Sequence, residues 1–144
     1  MISTKGRYAL RLMIDIAAYS NGEVVSLKDI SKRQEVSIKY LEQVVSLLTK
    51  SGLLISVRGS NGGYRLSRNS SEYTAGEILK VAEGTLAPIS CVQCEPIKCP
   101  RVNNCSTVNF WKGFYKAIND YVENITLEDL ANAEIARIGN DYSI

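Results

Sequence analysis

Residues 37–66 decide the fold: Ser37-Ile38-Lys39-Tyr40-Leu41-Glu42-Gln43-Val44-Val45-Ser46-Leu47-Leu48-Thr49-Lys50-Ser51-Gly52, then Leu53-Leu54-Ile55-Ser56-Val57-Arg58-Gly59-Ser60-Asn61-Gly62-Gly63-Tyr64-Arg65-Leu66. In the first half Tyr40, Leu41, Val44, Val45 and Leu48 recur at helical spacing. Ser37 stands where an N-cap hydroxyl belongs, and Gly52 where a left-handed residue closes a helix. The second half changes period. Leu53 to Val57 is apolar and β-branched, Arg58 to Gly63 is a tight glycine-rich turn, and Tyr64-Arg65-Leu66 alternates as a return strand.

Working upstream, Leu12, Met13, Ile16 and Ala17 follow Tyr8 at helical spacing, and the pattern breaks at Ser20-Asn21-Gly22. Val24 and Val25 form a short extended piece. Ser26-Leu27-Lys28-Asp29 then sets a cap hydroxyl three residues before a carboxylate, a variant of the capping box. The short helix it opens should end near Arg33, and Gln34-Glu35-Val36 should turn the chain into the next helix. Helix, short helix, turn, helix and two-stranded hairpin is the order of a winged helix-turn-helix. The expected fold class is mainly α with a small β-hairpin.

Downstream, Thr74-Ala75-Gly76-Glu77 predicts a capping box and a helix to about Glu83. Gly84 to about Cys105 is irregular, with Pro88, Pro96, Pro100 and all four cysteines, and so long a loop in a small protein tends to be functional. From Val108 a stripe of Phe110, Trp111, Phe114, Tyr115, Ile118, Tyr121 and Val122 is helical again. It is too aromatic for a lone surface helix, so it is expected to be a long dimerisation helix with Trp111, Phe114, Ile118 and Val122 at the subunit interface. Packing of the same stripe on its own chain is the competing expectation. Thr126 and Asp129 should cap a last short helix, with a loose tail after Arg137. Three regions follow: a DNA-binding unit over 1–83, a cysteine loop over 84–106 and a dimerisation region over 107–144.

The chain of 144 residues is 45% hydrophobic, ordinary for a globular protein. It shows no leader of the secretory kind and no apolar run near the ~18 residues of a membrane span, so cytoplasmic residence and no membrane partner are expected. A net charge of +2 hides an asymmetry: residues 1–68 hold 11 Lys and Arg against 5 Asp and Glu, and residues 69–144 hold 6 against 10. The halves therefore carry +6 and −4. A basic half suits a polyanion, although solvated surface faces alone could give the same count. There is no histidine, which excludes Ser-His-Asp and Cys-His catalysis and leaves Cys, Asp, Glu or backbone groups to hold any metal.

On the helix from Ser37 to Ser51, the N-terminal side chains are the candidates to meet double-stranded DNA. Lys39 supplies charge, Ser37 and Tyr40 can bond phosphate, Glu42 can accept from cytosine, and Gln43 is a further base reader. Ser37 could equally be only a cap, and Tyr40 only core. Arg58, with Gly59 and Ser60 at the hairpin tip, is the candidate minor-groove finger.

The cysteines run Cys91-x2-Cys94-x4-Cys99-x5-Cys105, within 15 residues. In a reducing compartment this favours a metal site or redox switch over a disulfide. Thiolates select zinc or iron–sulfur clusters, and a single CxxC with wider spacings suits a loop around a larger inorganic core better than a zinc ribbon. Zinc, a thiol switch and inert cysteines stay open on spacing alone. The CxxC could suggest an oxidoreductase, but no thioredoxin-like βαβ pattern accompanies it.

Four blocks carry a resemblance that spans nearly the whole chain: Ser3-Thr4-Lys5-Gly6-Arg7-Tyr8-Ala9, Ser37 to Gln43, Val57 to Tyr64, and Ile125-Thr126-Leu127-Glu128-Asp129-Leu130. They resemble the IscR/CymR family of bacterial winged-helix regulators. The resemblance implies a non-enzymatic homodimeric regulator, a repressor, reading a pseudo-palindromic operator. It also implies a [2Fe–2S] cluster on Cys91, Cys99 and Cys105, as in the IscR branch. The family's histidine ligand falls at Val108, which cannot ligate, so Cys94 is the leading fourth ligand and Glu95 or a partner residue the second choice. The CymR branch lacks those cysteines and senses through a protein partner; the alternative is therefore a CymR-like repressor whose own cysteines form a zinc or thiol-switch site, with a protein partner or cysteine status as the signal.

Overall fold

In the computed structural model, which describes residues 1–142, the order of elements is α1 (Thr4–Tyr19), α2 (Leu27–Gln34), α3 (Ile38–Lys50), β1 (Leu54–Val57), β2 (Gly63–Leu66), α4 (Ala75–Glu83), α5 (Val108–Glu123) and α6 (Leu127–Tyr142). Short 3-10 turns lie at Ser70–Glu72, Ser90–Val92 and Val102–Asn104. The expected winged helix-turn-helix is present, and the local chemistry explains its boundaries. Ser3, Ser26 and Ser37 each accept a hydrogen bond from the backbone N–H three residues on, capping α1, α2 and α3. Glu35 takes a left-handed conformation with φ 55° and turns α2 into α3. The end of α3 is a Schellman closure: Leu53 N donates to Leu48 O at 2.9 Å and Gly52 N to Thr49 O at 3.0 Å, with Gly52 at φ 83°.

β1 and β2 pair antiparallel, Leu54 opposite Leu66 and Val57 opposite Gly63. Val25 adds a one-residue third strand, exchanging two 2.9 Å hydrogen bonds with Tyr64. Gly63 is required beside it, because a Cβ there would collide with the Val25 carbonyl.

Leu12, Met13 and Ile16 of α1, Ile30 of α2, Leu41, Val44, Val45 and Leu48 of α3, and Ile78 of α4 form one buried core. Burying each such side chain is worth about 1.5–3 kcal/mol. Tyr73 is fully buried and locks the base of the hairpin: its hydroxyl donates to Leu53 O at 2.8 Å and accepts from Ser67 N at 2.9 Å and Arg68 N at 3.1 Å.

Two expectations need correction. Thr74 caps α4 by accepting from Glu77 N at 3.0 Å, but the box is not reciprocal, because the Glu77 carboxylate pairs with Arg68. Instead the Thr74–Ala75 backbone is held by the segment before α6, Ala75 N donating to Ile125 O at 2.8 Å. The reciprocal box belongs to Asn69 and Glu72. The last helix is not short. Thr126 and Asp129 exchange two 3.0 Å hydrogen bonds at its start, and it runs 16 residues through the segment expected to be a loose tail. Residues 143 and 144 of that tail lie outside the described residues. Leu127 and Ala131 of α6 are buried, and Leu127 belongs to the same core as α1, so part of the 107–144 region completes the N-terminal unit. No described helix is long and apolar enough to cross a membrane.

Candidate nucleic-acid interface and cysteine loop

The N-terminal turn of α3 projects freely. Ser37, Lys39, Glu42 and Gln43 are exposed, while Leu41, Val44, Val45 and Leu48 anchor the opposite face. The Ser37 hydroxyl is engaged as a cap, accepting from Tyr40 N at 3.2 Å. Tyr40 is half-buried rather than core, its ring meeting Tyr8 of α1 edge-on at 5.7 Å. Arg11 lies over the Tyr8 ring at 4.9 Å. Arg58, Gly59 and Ser60 are all exposed at the hairpin tip, where Gly59 has φ 116°, a conformation that excludes a side chain without strain. A projecting helix end and a narrow arm tipped with a guanidinium are the two shapes that duplex DNA accepts in its major and minor grooves.

One feature of this unit escaped the sequence reading. Asp15 is 1% exposed, yet its carboxylate accepts from Arg33 Nε at 3.0 Å, Arg33 Nη2 at 2.8 Å and Gln34 Nε2 at 2.8 Å. The Arg33 guanidinium also covers the Tyr19 ring at 4.1 Å. Nothing in the spacing of Arg33 pairs it with a residue 18 positions earlier.

The structure sorts the four cysteines into three and one. Cys91, Cys99 and Cys105 line a single cavity of about 260 Å³, walled by Val102, Val108 and Trp111. Cys94 lines a different groove, with Lys112, Tyr115, Lys116 and Asn119 of α5. Cys91, Cys94 and Cys105 are exposed and Cys99 half-buried, with no disulfide among them. The Thr107 hydroxyl, 3.6 Å from Cys105 Sγ, holds that thiol below its ordinary value. Among the described residues no three Cys, Asp or Glu side chains close into a metal-holding group. Three soft thiols around one cavity are nevertheless donors of the kind an iron–sulfur group takes, one short of the usual four. Val108, at the expected histidine position, contributes an apolar wall.

Trp111, Phe114, Ile118 and Val122 converge, but on their own chain: they line an apolar cavity of about 520 Å³ with Leu79 of α4 and Leu86 of the following loop. No residue of α5 is buried, and Phe110, Phe114 and Tyr121 are 62%, 46% and 69% exposed. Phe110 and Tyr121, on the stripe but not among the expected anchors, are thus the most open aromatics of α5. The far end of α5 is tied to α4, where Glu123 accepts from Thr74 Oγ1 at 2.9 Å and Lys80 Nζ at 2.8 Å.

Comparison with known proteins places this geometry. The model of the Rrf2 family, described as iron-dependent transcriptional regulator, matches residues 2–133. The HTH-type transcriptional regulator IscR of Pectobacterium atrosepticum is 39% identical over 131 residues, 91% of this chain and 79% of that protein. Among solved structures, the global cysteine regulator CymR of B. subtilis superposes with a TM-score of 0.77 at 36% identity, covering 92% of this chain and 97% of that one. IscR of T. potens gives 0.74 at 35% identity, covering 93% and 88%. These relatives are regulators, not enzymes, and the winged helix-turn-helix described above is theirs as well. The chain belongs to the Rrf2 family of DNA-binding transcriptional regulators.

Proposed function

We propose that the protein is a cytoplasmic homodimeric repressor whose hold on a pseudo-palindromic operator is controlled at the cysteine loop by an iron–sulfur group, [2Fe–2S] in type. Two α3 helices, through Ser37, Lys39, Tyr40, Glu42 and Gln43, enter successive major grooves. The wings bring Arg58, Gly59 and Ser60 to the flanking minor grooves. The α5 helices, with Trp111, Phe114, Ile118 and Val122, form the subunit interface. The observation that carries the control site is the convergence of Cys91, Cys99 and Cys105 on one cavity. These three thiolates would hold the group, and Lys98 and Arg101 of the same loop offset its charge. When bound, an iron–sulfur group supplies a ligand whose presence depends on iron supply and oxidants. Cys94 completes the set only if residues 92–97 carry it out of its α5 groove.

The test is anaerobic purification and reconstitution of the four single cysteine-to-alanine variants, followed by visible absorbance and iron and sulfide counting. Loss of the chromophore in Cys91→Ala, Cys99→Ala and Cys105→Ala, with iron kept in wild type, supports the reading. A colourless wild type with stoichiometric zinc would replace it with the second reading, a zinc or thiol-switch repressor answering to a protein partner or cysteine status. The separation of Cys94 from the other three thiols, which leaves neither a cluster nor zinc a complete set of four thiolates, together with the likeness to CymR, favours the thiol-switch form of that second reading.

A further inference from the structure

Arg11 stands on the exposed side of α1, where it is bonded to the α2 end of the turn that sets α3 and reaches the α3 end through the Tyr8 ring. Its Nε donates to Gln34 Oε1 at 2.9 Å and its Nη2 to Gln34 O at 3.4 Å. Gln34 is the last residue of α2, immediately before the left-handed Glu35. The same guanidinium lies over Tyr8, and Tyr8 meets Tyr40 at the start of α3 edge-on. Gln34 is held from its other side, donating to the buried Asp15. One side chain of α1 therefore holds the exit of α2 directly and the entry of α3 through Tyr8.

We infer that Arg11 is a positioning residue for operator recognition: it fixes the angle at which the N-terminal turn of α3 leaves the helix-turn-helix. The inference rests on the reading that α3 enters the major groove. The physical reason is geometric. Base-edge hydrogen bonds tolerate only small displacements, and the left-handed turn at Glu35 is a natural pivot unless its flanks are tied. Arginine suits the task because one planar group can donate to both Gln34 oxygens and stack on an aromatic face, which an ammonium cannot do. Its exposure means that replacing it leaves no cavity to destabilise the core.

The experiment measures the affinity of full-length Arg11→Met and Arg11→Lys for an operator obtained by selection from random duplexes, and for an unrelated duplex, over a range of salt. Both variants should lose roughly three- to tenfold in operator affinity, within the range of coupling in shared hydrogen-bond networks, while keeping the wild-type salt slope and thermal midpoint. A double-mutant cycle with Gln34→Ala should be non-additive, since both changes cut the same brace. Wild-type affinity in Arg11→Lys, or a salt slope lower by about one in Arg11→Met, would show a direct phosphate contact and overturn the positioning role. Lys39→Ala and Arg58→Ala run in parallel separate the two levels. If they weaken binding while the Arg11 variants do not, only this inference fails; if they leave binding unchanged, the placement of α3 and the wing fails.

Discussion

The carboxylate of Asp15 and the guanidinium of Arg33 form a two-pronged ion pair, 2.8 Å at its shorter bond, with the Asp15 side chain wholly buried and the Arg33 side chain 30% exposed. This asymmetry makes the two ends of the pair unequal. Arg33 deprived of its partner can turn to water, whereas Asp15 deprived of Arg33 keeps only Gln34. Arg33→Met should therefore destabilise the protein by about 3 kcal/mol, and Asp15→Ala by less. Adding Asp15→Ala to Arg33→Met should recover part of the loss. Urea unfolding of the three variants checks the order.

Arg58 is the one arginine at the tip of the wing, exposed beside Gly59. Arg58→Ala should weaken operator binding and reduce the salt slope by about 0.9 for each phosphate charge no longer neutralised. Titrations at several salt concentrations give both quantities, and an unchanged slope would remove the wing from the groove.

Glu42 is exposed on the turn of α3 that carries Lys39. A carboxylate facing DNA repels phosphate and is tolerable where it accepts from cytosine or rejects wrong bases. Glu42→Ala should bind unrelated duplex more tightly and lose discrimination. Selection from random sites returning the wild-type motif for the variant would disprove the role.

In the α5 stripe Trp111, Ile118 and Val122 are half-buried over the cavity against α4, Tyr115 is half-buried at the Cys94 groove, and Phe110, Phe114 and Tyr121 are open to solvent, Phe114 while still lining that cavity. Ile118→Asp and Phe110→Asp should both shift sedimentation toward monomer and abolish binding to a palindrome, since an interfacial charge without a partner is costly. Trp111→Ala should also lower the thermal midpoint, because that ring touches its own chain. An intact dimer in both aspartate variants would place the interface elsewhere.

Glu123 is held below its ordinary carboxyl value by the hydrogen bond from Lys80 first and by that from Thr74. A carboxyl depressed by folding contributes stability that is complete at neutral pH and is lost as pH falls through its folded-state value. Because the pair is about two-fifths exposed, Glu123→Gln should cost only about 0.5 kcal/mol at neutral pH. Wild type and variant should converge below the ordinary carboxyl value of 4.5 in thermal melts over an acid series.

The sequence by itself determined what local chemistry controls. The caps at Ser26 and Ser37, the close of α3 at Gly52, the glycine-rich tip after Arg58 and the start of α5 at Val108 are all visible in residues a few positions apart. Family membership was legible for the same reason, since its blocks are short and local. Tertiary structure alone decided the rest. Thr74 and Glu77 have capping-box spacing, but Glu77 is taken by Arg68 from the segment that follows the hairpin. The tail after Arg137 lacks a strong periodic pattern, yet it extends a helix whose start packs on α1 through Leu127. Cys91 and Cys94 sit three positions apart, and the path of the loop sends them to different cavities. Asp15 finds Arg33 only once α1 and α2 are folded together. Capping and periodicity act within a turn or two of chain, whereas partner choice among charged and thiol side chains depends on distances that exist only after distant segments have met.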